Sequence, residues 1–306
     1  RDAGSRAAVG PDLRELLPFR PPLEWDAMLG YLAARAIPGV EVVAEGTYRR
    51  TVVVDGGAGV IEVSPGGHDR LLLRAHLPHQ GGLVHVARRV RRIFGLDADV
   101  EGARVHLATD PTVGPLVAAR PGLRVPGTWD AFEIGVRAII GQQVTVAGSS
   151  TIAGRLVERQ GGRVPGLTSP GLTHTFPSAA TLAEADTDGI GLTGARIQAI
   201  RGFAAAVAEN RVRLDRSVPL GELVESIVRL PGLGPWTAHY IALRIGEPDA
   251  LPASDLGLRR ALANGEGSAV LPSADELAAR AESWRPWRAF AAVHLWSSGL
   301  AAPGVA

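Results

Sequence analysis

Leu230 to Ala238 read LPGLGPWTA, and this nonapeptide restricts the fold more than any other stretch of the chain. Gly232 and Gly234 flank Leu233, so a tight turn there can take positive φ, and the missing Cβ atoms let a second backbone approach closely. Pro235 suits the first turn of a helix, where its preset φ fits and its missing N–H forfeits no intrahelical bond. That helix is predicted from Pro235 to about Ile245. Upstream, GELVESIVRL sets Leu223, Ile227, Val228 and Leu230 at helical spacing. The segment therefore reads helix, glycine turn, helix. Such a turn aims backbone N–H groups and a helix N-terminus outward, toward a ligand such as a phosphate oxygen. A plain turn between two helices satisfies PGxG equally well.

The chain contains no lysine, so chemistry through a lysine Schiff base is excluded and water steered by a carboxylate remains. It contains no cysteine either, which removes disulfides, thiolate zinc sites and iron–sulfur clusters. No cofactor and no metal are expected. His76 and His79 in HLPH have a spacing seen in metal sites but lack a neighbouring carboxylate set, and His239 and His294 read as packing residues within helices. With a net charge of +1, attraction to a polyanion has to come from local clustering. The densest cluster is Arg88, Arg89, Arg91 and Arg92 on one predicted helix, which fits a phosphate-facing surface or a solvated helix face.

At 306 residues and 46% hydrophobic content the chain can bury a sizeable core in two or three subdomains. Residues 1–14 read as a tail. From 15 to 80, one amphipathic helix (Trp25 to Ala36) accompanies the β-rich runs VEVVAEG, RTVVVDG, GVIEVSPGG and RLLLRAHL, separated by turn signals such as DGG and SPGG. From 81 to 306 the apolar period is mostly helical. The expected fold class is α+β: an N-terminal antiparallel sheet with a helix packed on it, then a larger all-helical region. No apolar run approaches a membrane span and no leader pattern is present, so a cytoplasmic location and no membrane partner are expected.

LPGLGPWTA resembles the helix-hairpin-helix motif of DNA-binding proteins, here over residues 230–238. The Gly/Pro-interrupted stretch that follows, GEPDALPASDLGLRRAL, resembles the loop with an aspartate that marks the helix-hairpin-helix (HhH-GPD) DNA glycosylases. Further blocks extend the likeness to the AlkA-type DNA-3-methyladenine glycosylase II family: WDAMLGYLAARA, ARPGLRVPG, WTAHYIALR and WRPWRAFAAVHLW.

The resemblance implies base excision repair acting on double-stranded DNA with alkylated bases, in a bacterial, nucleoid-associated setting. Within the loop at 246–255 it implies Asp255, not Asp249, as the catalytic position; aspartate is also a common N-cap, and both roles can coexist. It implies Trp236, Tyr240 and Trp296 as the pocket for the base, and Gly232, Leu233 and Gly234 as the contact with the DNA backbone. In WDAFEIGVRAIIGQQVTVAGSSTIAGRLVERQGG it implies Gln143 as the wedge filling the space of a flipped nucleotide, where AlkA carries an apolar residue. Strand-cleaving members carry lysine where this chain has Trp236, so a monofunctional enzyme without lyase activity is expected. The chain starts at Arg1, and an Ada-like regulatory domain in a longer parent protein is a further expectation. Two other readings stay open: a non-catalytic helix-hairpin-helix protein recognising damaged or distorted DNA, and a related glycosylase for a neutral base such as hypoxanthine.

Overall fold

In the computed structural model of the chain, residues 12–164, 170–186 and 189–299 are described. Five strands come first, β1 (Asp12–Pro18), β2 (Glu41–Ala44), β3 (Thr47–Val54), β4 (Gly57–Pro65) and β5 (Arg70–His76), with α1 (Trp25–Ala34) between β1 and β2. The helices that follow are α2 (Leu83–Ile93), α3 (Val100–Leu107), α4 (Val113–Ala119), α5 (Ala131–Ile140), α6 (Val146–Gln160) and α7 (Ala179–Glu184). After them come α8 (Gly194–Ala208), α9 (Leu220–Val228), α10 (Pro235–Ile245), α11 (Leu256–Gly265), α12 (Ala274–Arg280) and α13 (Arg288–Gly299). No helix among the described residues is long and apolar enough to cross a membrane.

The sheet runs in the order β1-β5-β4-β3-β2 with every pair antiparallel. Its tight hairpins follow from the sequence. Glu45-Gly46 and Asp55-Gly56 each place two residues at positive φ (52° and 69°, 50° and 78°), the geometry of a two-residue turn whose twist matches that of the strands. Alternation does the rest: Leu71, Leu73 and Ala75 of β5 are buried while the residues between them are not. Helix α1 turns Met28, Leu29 and Leu32 inward and packs against β2 and β3.

The expected α+β architecture is thus the observed one, with two corrections. The tail assigned to residues 1–14 runs too far, because Asp12 to Arg14 open β1 and pair with His76, Ala75 and Arg74; residues 1–11 lie outside the described residues. The pairing partners stand 60 to 64 residues away, so local composition does not reveal this edge strand. The break placed at 80 is also not a boundary between compact units. Among the described residues, one unit comprises those up to Arg20, Trp25–Arg91 and Val136–Arg211; the other comprises Pro21–Glu24, Arg92–Gly135 and those from Val212 onward. Helix α6 and helix α8 thus share a unit with the sheet, and α9 to α13 belong to the second.

Within the first unit, a buried carboxylate ties the sheet to α5. Glu41 accepts from the Tyr48 hydroxyl at 2.6 Å, the Ile37 amide at 3.1 Å and Arg137 at 2.9 Å, and Arg50 lies 3.6 Å away. Burial alone would raise the Glu41 pKa, but Arg137, Arg50, the Tyr48 hydroxyl and the Ile37 amide together hold it below the usual value. A group depressed in this way contributes stability above its unfolded pKa and loses it as pH falls through the folded one. Removing the carboxylate takes their shared counter-charge from Arg137 and Arg50, so Glu41→Ala is expected to lower the unfolding free energy at neutral pH by about 3 kcal/mol. Urea denaturation at several pH values checks this: the gap from the parent should narrow under acid, and a variant as stable as the parent at neutral pH would refute the role of the network.

Candidate active site

Helices α9 and α10 form the expected hairpin. Leu230 N–H reaches the Ile227 carbonyl at 3.0 Å and Leu233 N–H the Leu230 carbonyl at 3.2 Å, closing the turn between them. Gly232 has φ +80°, the left-handed region that glycine enters without strain. Gly234 departs from expectation: at φ −107° and ψ 178° it is extended backbone and serves as the N-cap of α10. Only Gly232 needs glycine for its conformation. Among the described residues, a Cβ on Gly234 would meet no heavy atom within 4 Å, so packing against them does not require glycine there either. Leu233 points its side chain into the core, leaving backbone as what this tripeptide offers outward. Pro235 stands at the start of α10, as expected, and Gly246 at φ 101° ends it.

One turn apart on α10, Trp236 and Tyr240 stack with ring centroids 5.2 Å apart and planes 7° from parallel. Trp296 of α13 meets Tyr240 edge-on, at 6.4 Å and 66°. Asp255 joins them as the N-cap of α11. Its Oδ1 accepts from the Leu258 amide at 3.0 Å and from Trp296 Nε1 at 2.9 Å, and its Oδ2 accepts from Trp236 Nε1 at 2.9 Å. The capping role and a place among the aromatic rings therefore coexist in one carboxylate. Gly257 permits this closeness, since a Cβ there would lie 3.0 Å from Asp255 Oδ1 and 3.4 Å from Trp296 Cδ1. The other loop aspartate, Asp249, is engaged elsewhere, bound by Arg288 at 2.7 and 3.0 Å and by Arg285.

Arg244, which the sequence reading passed over, stands behind this cluster. It is buried, and donates from Nη1 to the Tyr240 hydroxyl at 2.9 Å, from Nε to the Pro126 carbonyl at 2.7 Å and from Nη2 to the Gly127 carbonyl at 2.8 Å. Its spacing of four from Tyr240 is the one signal in the sequence that could have found it. His294 is buried and His239 half-buried, and the pKa of each lies below the usual histidine value. Burial and then the Arg120 charge push His294 down to about 4, opposed by the Leu116 carbonyl. Burial and then Arg288 lower His239, opposed by Asp249.

The structure thus brings together Asp255, Trp236, Tyr240 and Trp296, with the hairpin at the head of the same helix α10. Gln143 belongs to the other compact unit, in the turn between α5 and α6. It is exposed and holds φ +57°, uncommon for a residue with a side chain. On α2, Arg88 and Arg92 are exposed, but Arg89 and Arg91 are half-buried and Arg91 donates to the Pro18 carbonyl at 2.9 Å, so the run of four is not one solvated stripe. Among the described residues, no group of three or more His, Cys, Asp or Glu side chains gathers as a metal set.

Two family models match the chain: the AlkA N-terminal domain over residues 15–130, and the HhH-GPD superfamily base excision DNA repair protein over residues 136–286. A probable bifunctional transcriptional activator/DNA repair enzyme AlkA of Mycobacterium tuberculosis is 41% identical over 285 residues, covering 92% of this chain and 56% of that protein. The chain thus spans about half the length of that relative. DNA-3-methyladenine glycosylase 2 of Escherichia coli is 33% identical over 288 residues, covering 92% of this chain and 95% of that protein. Among solved structures, a 3-methyladenine DNA-glycosylase from Archaeoglobus fulgidus superposes with a TM-score of 0.82 at 22% identity, over 95% of this chain and 100% of that one, a likeness of fold.

The different backbones of the two hairpin glycines make separate demands. Gly232→Ala forces a side chain into the left-handed region and is expected to lower the unfolding free energy by about 1 kcal/mol. Gly234→Ser should not lower it, because serine is a favoured N-cap and the space around Gly234 is open. Chemical denaturation of the two variants checks this, and equal losses would contradict the backbone assignment.

Proposed function

The chain belongs to the HhH-GPD superfamily of base excision DNA repair proteins and carries an AlkA N-terminal domain, and from that premise we propose that it is a monofunctional DNA glycosylase. It hydrolyses the bond between C1′ and an alkylated base, 3-methyladenine, 7-methylguanine and related lesions, after the nucleotide has flipped out of the duplex. The observation that carries this reading is the Asp255 carboxylate fixed by two indole N–H groups beside three aromatic rings, two of them stacked and the third edge-on.

Each part has a chemical task. Alkylation at a ring nitrogen makes a purine cationic, so it leaves readily with the bonding electron pair and needs little help from a general acid. As the bond breaks, positive charge develops on the sugar, and the Asp255 carboxylate stabilises it and orients the water that adds to C1′ and sheds its proton. The faces of Trp236, Tyr240 and Trp296 hold a cationic base, each such contact contributing on the order of 0.5 to 2 kcal/mol. Hydrogen bonds from Trp236 and Trp296 to Asp255 fix the ring planes as well as the carboxylate, so pocket and catalyst share one geometry. At Gly232–Gly234 the backbone of the hairpin contacts a phosphate, which accounts for a glycine at 234 that neither conformation nor packing among the described residues requires. Gln143 fills the gap in the duplex, its exposed position at the tip of a turn suiting that use.

Asp255→Asn tests the reading: asparagine caps a helix as well as aspartate does, and its Oδ1 can still accept from Leu258 N–H and Trp296 Nε1, while its amide nitrogen replaces the oxygen that accepts from Trp236 Nε1. Single-turnover release of 3-methyladenine should fall roughly 10² to 10⁴-fold while duplex affinity at one fixed salt concentration changes little. Release near the parent rate would remove Asp255 from the chemistry, and no release by the parent protein would favour a non-catalytic damage-binding role.

The absence of lysine sets the product. The DNA strand should stay intact with an abasic site, and borohydride should trap no covalent complex with the protein, because no side chain can form the Schiff base. Efficient trapping on a denaturing gel would show a lyase step and contradict the monofunctional assignment.

A further inference from the structure

Between α10 and Asp255 the chain runs through an irregular loop, Gly246 to Ser254, and three of the side chains that anchor it, Arg288, Asp249 and His239, are ones the chemistry above does not use. Arg288, buried at the start of α13, grips Asp249 by both carboxylate oxygens, at 2.7 and 3.0 Å, and by its backbone carbonyl, at 2.8 and 3.1 Å. The next amide of α13, Ala289 N–H, donates to the Pro248 carbonyl at 2.9 Å. On the other side, Leu251 N–H donates to Nδ1 of His239 on α10 at 3.3 Å, a role only an unprotonated Nδ1 can fill. Two short-range bonds carry the hold onward: Ala253 N–H to the Leu251 carbonyl at 2.9 Å, and Asp255 N–H to the Pro252 carbonyl at 2.8 Å. The loop is therefore fastened to α10 and α13, the two helices whose Trp236 and Trp296 indoles hold the Asp255 carboxylate.

We propose that His239, Asp249 and Arg288 are positioning residues for Asp255, and that they hold it in place only while His239 is neutral. This rests on the glycosylase reading given above. The charged groups acting on His239 are Arg288 from α13, which disfavours its protonation together with burial, and Asp249 from the loop, which favours it. Behind them Arg285 pairs with Asp249, and Glu282 pairs with both Arg285 and Arg288. Protonation of His239 replaces an acceptor with a second donor facing Leu251 N–H, which loosens the segment leading to Asp255. Base release should then fall on the acid side of a limb set by His239, without a matching loss of duplex binding.

Two opposed substitutions separate this from a merely structural role. Arg288→Gln removes the repulsion and should move both the His239 titration and the acid limb to higher pH; Asp249→Asn removes the attraction and should move both to lower pH. The ring is followed by NMR in the full chain, its signal assigned by its loss in His239→Asn, and base release by single-turnover excision of 7-methylguanine across pH. At the plateau, release should drop roughly 10- to 100-fold in Arg288→Gln and Asp249→Asn, with duplex affinity unchanged. His239→Asn, which keeps an oxygen acceptor near the place of Nδ1, should retain the plateau rate and lose the limb. If Arg288→Gln fails to fold, Asp249→Asn and His239→Asn carry the test.

An acid limb that stays put in these variants, or moves the same way in both charge variants, overturns the proposal. Failure of the parent protein to release any base overturns the glycosylase reading instead, and the opposed ring titrations then show whether the electrostatics of the clamp are as described.

Discussion

The carboxylate of Asp255 is the junction on which the second unit's site depends. It takes hydrogen bonds from α10 through Trp236, from α13 through Trp296 and from α11 through the Leu258 amide. Three helices are thereby referred to two oxygen atoms, and the planes of two aromatic rings are set by the same bonds. Hydrogen bonds to an ionised acceptor are stronger than those between neutral groups, and a capping aspartate also meets the positive end of a helix dipole. A single side chain therefore supplies cap, aromatic orientation and negative charge, and a change at any of them reaches the others.

Around this junction, arginine does the fastening. Arg244 joins the Tyr240 hydroxyl to the carbonyls of Pro126 and Gly127, Arg288 binds the loop through Asp249, and Arg124 reaches the carbonyls of Gly95 and Pro22 although burial pushes it down to about 10. A planar fork with five donors can engage several carbonyl or carboxylate oxygens from one buried position, which an ammonium on a flexible stem does less well. In a chain without lysine, these contacts give irregular segments of the second unit the definition that helix and sheet ladders give elsewhere.

The hairpin's two glycines do not share a reason. Gly232 has an internal one, a backbone angle that side chains avoid. For Gly234 the backbone is ordinary and the space around it is open among the described residues, so neither its conformation nor its packing calls for glycine. That distinction comes from dihedral angles and neighbouring space; the letters PGLG present both residues alike.

Much of this was legible in the sequence because its causes are local. The hairpin turn at Asp55-Gly56, the start of α10 at Pro235 and the N-cap at Asp255 depend on residues within a few positions, where backbone sterics and unpaired N–H groups act. The four-residue spacing of Trp236 and Tyr240 by itself sets both on one helical face. What tertiary structure alone decided are the relations across long sequence separations. They include the pairing of Asp12–Arg14 with β5, the grouping of α6 and α8 with the sheet, and the meeting of Trp296 with Asp255 forty-one residues away. The Arg288 grip on Asp249, thirty-nine residues apart, and the bonds from Arg244 to Pro126 and Gly127 are of the same kind. Periodicity and turn chemistry report which face of an element is apolar and where it ends, but the partner that a buried donor finds is set by how faces pack, and that information is distributed over the whole chain.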